Sequence, residues 1–255
     1  MTGRMLDRMD KIQSRAPDLR RRPQPEEGSL SILFEDGSVA VLDKPAGIVV
    51  HPTYKNTSGT LLNALLWRYR DRDTIQPGIL TRLDKDTSGI VVVALTPALH
   101  ATMQRDMRAG RIKKEYLAVV CGVPDPPQGR IALPLGRSAE DRRVVVVRDD
   151  GAPCETLYDV VAWSSWARKA LSMVRCELVT GRTHQIRVHL AARGWPIVGD
   201  RVYGQESADI SRQALHAWQV TFPHPVTRES ITVTAPVPGD ITTLIREAGL
   251  TESRP

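Results

Sequence analysis

Residues 81–95 read TRLDKDTSGIVVVAL, a charge-dense polar segment that closes on Gly89 and runs directly into six apolar residues. A short apolar run rich in β-branched side chains, bounded by a turn signal, reads as a buried strand. A polar loop that feeds such a strand can present a carboxylate at the floor of a cleft, and Asp84 and Asp86 are the candidates here. Two positions apart, they would share one side of an extended strand but have no forced relationship in a loop. A hydrolase working through this pair of carboxylates is therefore a rival use of the same segment.

The flanking sequence extends the pattern in both directions. Upstream, residues 31–34 and 39–42 are β-prone runs around Glu35, Asp36 and Gly37, which predicts a hairpin. Thr57 or Ser58 is positioned to cap a helix whose Leu62, Leu65, Leu66 and Tyr69 recur on one face. Downstream, Thr96 as cap, Pro97 at the first helical position, an apolar stripe of Leu99, Met103 and Met107, and Gly110 as terminator define a second helix. Arg105 and Arg108 at its end join Arg111, Lys113 and Lys114 in the densest basic cluster of the globular part, read either as a solvated face or as a phosphate contact. Strand-like runs follow at 116–123, 144–147, 156–161 and 170–179, and their short connections favour antiparallel pairing. A third helix is expected over 184–193, with Thr183 as cap and Gly194 just beyond. Its start offers unpaired N–H groups with Arg182 and Arg187 nearby, an arrangement suited to an anion or an ionised carboxylate. His184 and His189 do not make a metal site: five helical positions set them about 140° apart, and no Cys or acidic residue completes a ligand set.

Composition bounds the remainder. At 255 residues, 41% hydrophobic and 25% charged, the chain can bury one sizeable core. Residues 1–25 hold seven basic and three acidic groups, so they carry four of the six net positive charges, and the body is nearly balanced. A polyanion site in the body must then come from local placement of cations. The expected organisation is a basic, mobile tail over 1–28, a single α+β domain over 29–250 with a largely antiparallel or mixed central sheet flanked by helices, and a short C-terminal tail over 251–255. Three widely spaced cysteines without a CxxC read as buried thiols in a reducing compartment. No apolar run is long enough to cross a bilayer and no secretory signal opens the chain, so a cytoplasmic protein is expected. Twelve aromatic residues are too few for a sheet that binds single strands through rows of stacked rings.

Six segments carry a resemblance to a known family: LDKPAGIVVHP at 42–52, RLDKDTSG at 82–89, KKEYLAVVCG at 113–122, GRTHQIRVHL at 181–190, GDRVYG at 199–204 and RQALHA at 212–217. In this order they resemble the motifs of RluA-type RNA pseudouridine synthases, over residues 29–245. The resemblance implies that family's catalytic fold and active-site cleft, an isomerase that turns uridine in RNA into pseudouridine, and no metal or other cofactor. Asp84 matches the family's catalytic aspartate, Tyr116 the tyrosine that packs on the target base, and Arg187 the basic residue that pairs with the aspartate. Arg82 matches an arginine that fills the space of the flipped nucleotide. RNA, ribosomal or transfer, is the implied partner, with contacts expected from Arg82, Arg105, Arg108, Lys113, Lys114, Arg182 and His184, and a monomer is expected. The family usually has His where this chain has Thr81. The 28 residues ahead of the domain are too few for a separate RNA-binding module of about sixty, so substrate choice is expected to rest on the catalytic domain. The rival within the same fold is a catalytically silent RNA-binding or ribosome-assembly factor.

Overall fold

The computed structural model describes residues 23–53, 56–166 and 169–250. The basic stretch 1–22 and the C-terminal 251–255 lie outside these residues. The chain opens with the expected hairpin, β1 (Ser31–Glu35) and β2 (Val39–Lys44), whose turn is fixed by Asp36 Oδ1 accepting from the N–H groups of Ser38 and Val39. Helix α1 (Leu61–Arg68) follows, then β3 (Gly78–Ile79), β4 (Ser88–Ala94), α2 (Pro97–Arg108) and β5 (Lys113–Cys121). Short strands β6 (Gln128–Ile131), β7 (Leu135–Arg137) and β8 (Val145–Val147) lead to the long pair β9 (Thr156–Trp166) and β10 (Lys169–Leu178). Helix α3 (Gln185–Ala192), strands β11 (Leu215–Pro223) and β12 (Ser230–Thr234), and helix α4 (Gly239–Glu247) complete it.

Ten strands form one mixed sheet in the order β1-β2-β4-β11-β5-β10-β9-β6, with β12 added on β11 and β3 on β4, while β7 and β8 make a separate ribbon. Every pairing in the large sheet is antiparallel except β4 with β11, which run parallel where Ser88 faces His216 and Gly89 faces Ala217. β4 is buried along its whole length, and the period of two in a strand splits it between two cores. Ile90, Val92 and Ala94 join the large cluster with Met103, Leu190 and Leu215. Val91, Val93 and Leu95 join a second cluster with Leu61 and Leu65 of α1. Both faces are covered, which is why the sequence of this strand is continuously apolar rather than alternating.

The start of α1 differs from the sequence reading. α1 is capped by Thr60 in a reciprocal pairing with Asn63, not by Thr57 or Ser58. The Asn three residues on supplies the return bond that makes Thr60 the better cap. Asn63 also ties the preceding chain to the helix: its side chain donates to Gln24 O, and Glu26 N–H donates to Asn63 O. Among the described residues, Gln24 and Glu26 are thus bonded to α1. α2 matches its expected cap, Thr96, its first-turn Pro97, and Gly110, which has φ +68.

Candidate active site

Thr81, Arg82, Leu83, Asp84 and Thr87, in the segment that leads into β4, line a cavity of about 500 Å³. Lys44, fully buried at the end of β2, donates from Nζ to the carbonyl oxygens of Pro45 (2.7 Å), Ile48 (2.9 Å) and Lys85 (2.9 Å). Burial pulls its ammonium down to about 8, with the nearby Asp86 and Asp84 opposing the shift. Three carbonyl acceptors satisfy all its donors, so the LDKPAG turn and the Asp84 loop are fastened to one point.

The opposite wall is the start of α3. The expected cap, Thr183, does not serve: His184 takes the N-cap place in a left-handed conformation (φ 56, ψ 16) and makes no side-chain capping bond. Gln185, the first helical residue, instead pins the turn ahead of the helix, its Oε1 accepting from Arg182 N–H and Thr180 Oγ1, both at 2.9 Å. A left-handed non-glycine residue is a local cost that persists only where its surroundings fix it. Here the ring of His184 is fixed by Tyr203, whose hydroxyl lies 2.7 Å from His184 Nδ1 and accepts from Val145 N–H at 2.9 Å. His184 Nε2 then faces Asp84 Oδ1 at 3.7 Å. Burial lowers the imidazole below its ordinary value, although Asp84 pulls the other way.

One turn on, the buried Arg187 donates from Nη1 to Asp84 Oδ2 at 2.9 Å, and from Nε and Nη2 to the two oxygens of Asp200 at 2.7 and 2.9 Å. Asp200 is itself fully buried and accepts from the N–H groups of Val202 and Tyr203. Burial pushes the Asp200 carboxyl up, but the bond and charge of Arg187 together with the Val202 and Tyr203 N–H groups hold it below its usual range. Sequence reasoning gave Asp200 no role. The only signal was its place in the quoted segment 199–204, because an isolated Asp does not reveal a partner thirteen residues earlier.

Tyr116 of β5 is buried and lines the same cavity. Burial, reinforced by Asp84, raises its phenol well above the ordinary value, so the hydroxyl stays protonated. Arg82, Lys114, Arg137 and Arg182 also line the cavity. Among the lining residues Asp84 is the one carboxylate, set in a ring of cations. The structure thus brings Arg82, Lys114, Arg182 and His184 to Asp84, Tyr116 and Arg187. It does not bring Arg105, Arg108 or Lys113, which are exposed outside the lining. α2 turns Met107 into the cavity, and positions 108 and 105 lie about 100° and 160° around the helix from it. Asp86 is exposed and outside the lining, so the paired carboxylates of the hydrolase reading are not assembled. Thr81 is buried at the cavity wall, where its hydroxyl accepts from Val92 N–H at 2.9 Å.

One ion-paired carboxylate in a cationic cavity suits an enzyme that acts on a polyanionic substrate. The human RNA pseudouridylate synthase domain containing 4 shares the fold, with a TM-score of 0.72 over 88% of this chain and 95% of that one at 21% identity. The chain belongs to the RNA pseudouridylate synthase family, whose sequence profile matches residues 38–192. This is a family of isomerases that convert uridine in RNA to pseudouridine. It is 41% identical to the ribosomal large subunit pseudouridine synthase D of Nitrosomonas europaea, over 88% of this chain and 66% of the relative. The same identity relates it to the RNA pseudouridine synthase YhcT of Bacillus subtilis, over 87% of this chain and 73% of the relative. The chain thus spans about two thirds of the length of the first of these relatives. Among the described residues no helix is long and apolar enough to cross a membrane.

Proposed function

We propose that this chain isomerises uridine in ribosomal RNA of the large subunit to pseudouridine, with Asp84 as the catalytic carboxylate and residues 29–250 as the catalytic unit. The observation that carries the reading is the contact of Arg187 Nη1 with Asp84 Oδ2 at 2.9 Å, made in a cavity that Tyr116 also lines. In the reaction the bond from ribose C1′ to N1 breaks, the uracil turns in place and C5 bonds to C1′. C5 then gives up its proton and N1 gains one, so the atoms balance without an oxidant or reductant. Asp84 serves either by attacking C1′ or by removing the proton at C2′, and in both roles it must carry its charge. The guanidinium beside it offsets the cost of keeping that charge away from water.

A base paired or stacked in folded RNA must leave its stack to enter such a cavity. Arg82, exposed at the rim, is suited to the vacated space because a planar guanidinium stacks on bases and donates hydrogen bonds. Tyr116 offers a ring face for the uracil and a protonated hydroxyl. Lys114 and Arg182 meet the phosphates, and the net charge of +4 on residues 1–25 adds a loose, salt-sensitive attraction. The place of action is the cytoplasm, and the active form is a monomer. The large-subunit target follows the names of the similar relatives. Mapping pseudouridines in total RNA from cells with and without the protein tests it: loss of a site in large-subunit RNA supports the target, and loss confined to transfer RNA removes it.

A further inference from the structure

Arg212 lies behind the loop that carries Asp84 and reaches three parts of the chain. Its Nη1 donates to the carbonyl oxygen of Asp86 at 3.1 Å, and at longer range to those of Gln213 and Leu215. Its Nε and Nη2 donate to the two carboxylate oxygens of Asp240, in the first turn of α4, at 2.6 and 2.8 Å. The residues that follow Arg212 continue the grip. Gln213 Nε2 donates to Thr87 Oγ1 at 3.1 Å, and His216 Nδ1 is hydrogen-bonded to Ser88 Oγ at 3.0 Å. The 212–217 segment therefore holds 86–88 in register, immediately after Asp84. Arg is suited to this task because it keeps its charge and its planar fork fixes the direction of each bond. Although burial pushes the Asp240 carboxyl up, the bonds from Arg212 hold it below its ordinary value. α4 contributes no residue to the cavity lining.

We infer that Arg212 and Asp240 form a positioning pair for the Asp84 loop. Asp240 of α4 orients the guanidinium, the guanidinium anchors the Asp86 carbonyl, and the anchored carbonyl sets where Asp84 stands relative to Arg187 and Tyr116. The inference rests on Asp84 being the catalytic carboxylate. A displacement of about 1 Å at a reacting group can cost on the order of a hundredfold in rate, so a contact outside the cavity acts on turnover.

The test uses the full chain and RNA tritiated at uridine C5, with kcat, KM and the thermal melt measured for each variant. Asp240→Asn is expected to lower kcat about tenfold and Arg212→Met up to about a hundredfold, with KM within about twofold of wild type. Arg212→Lys should recover part of the lost kcat. Residues that act as one unit are not additive, so the double variant should be no slower than Arg212→Met alone. Arg228→Met is the structural control: it breaks a 2.8 Å ion pair with the buried Asp106 of α2 and should lower the melt while kcat per folded molecule stays unchanged. If Arg212→Met does not fold, Asp240→Asn decides, since the Asp240 side chain is 41% exposed. Wild-type kcat in Asp240→Asn and Arg212→Met, or an equal loss of kcat in Arg228→Met, overturns the pair. Failure of the unaltered protein to release tritium overturns the reading of Asp84 itself, and the pair with it.

Discussion

Asp200 receives two hydrogen bonds from Arg187, while Asp84 receives one. The guanidinium is thus anchored by the deeper carboxylate and lent to the one that faces the cavity. Asp200→Asn would leave a nine-tenths-buried guanidinium with half of its counter-charge removed. Breaking a buried pair from one side typically costs about 3–5 kcal/mol. The variant is expected to melt well below wild type and to turn over slowly even where it is folded. Circular dichroism melts set beside C5 tritium release check this, and a wild-type melt would mean that Asp200 is not the anchor.

Asp84 and Asp86 sit two residues apart and meet different surroundings. Asp84 is ion-paired in the cavity, whereas the Asp86 side chain is exposed outside the lining and its backbone carbonyl accepts from Arg212. Asp84→Asn should abolish tritium release with folding and RNA binding largely kept. Asp86→Asn should retain activity within a few-fold, because its carbonyl is unchanged. Equal loss in the two variants would restore the paired-carboxylate mechanism.

These contrasts also mark what the sequence could and could not carry. The second helix was legible from Thr96, Pro97 and Gly110 because capping and termination are local chemistry. Helix α3 was legible in extent, but its cap was misplaced, because the left-handed turn at His184 is held by Tyr203, nineteen residues away. The clustering of Arg105, Arg108 and Lys113 with Lys114 in the chain suggested one basic surface. Helix and strand geometry then sent Lys114 into the cavity and the others outward. β11, β12 and α4 had no assignment. The parallel pairing that places β11 beside β4 joins segments more than 120 residues apart, and no periodicity announces it.

Gly89, the last residue of the loop motif, shows how close that pairing is. It has φ +108, and a Cβ at this position would stand 2.2 Å from the carbonyl oxygen of Ala217. Backbone on the neighbouring strand cannot move aside as a flexible side chain would. Gly89→Ala is therefore expected to cost several kcal/mol, from a conformation that L residues rarely adopt and from the separation of β4 from β11. Urea unfolding measures it, and a loss under about 1 kcal/mol would show that the two strands part cheaply.

The histidines set the response to acid. Burial lowers His51, His184, His189 and His216 below the ordinary value of 6.5, and His216, enclosed beside Ser88, falls to about 4. As pH drops below 6.5 the unfolded chain takes up protons at these rings while the folded chain still refuses them. The unfolded state then binds more protons, so stability must fall as pH falls. For His216 the loss accumulates between 6.5 and about 4 and reaches on the order of 3 kcal/mol, at about 1.4 kcal/mol per pH unit. The ion-paired carboxylates follow in a lower window. Asp200, Asp240 and Asp106, the last held at about 2 chiefly by its hydrogen bond from Arg228, contribute stability that is complete above their unfolded values near 4 and is lost only below them. Unfolding free energies measured between pH 7 and 3 should therefore decline in two stages. His216→Gln should flatten the upper stage and leave the lower one in place, and an unchanged slope between 6.5 and 4 would show that His216 is not held neutral in the fold.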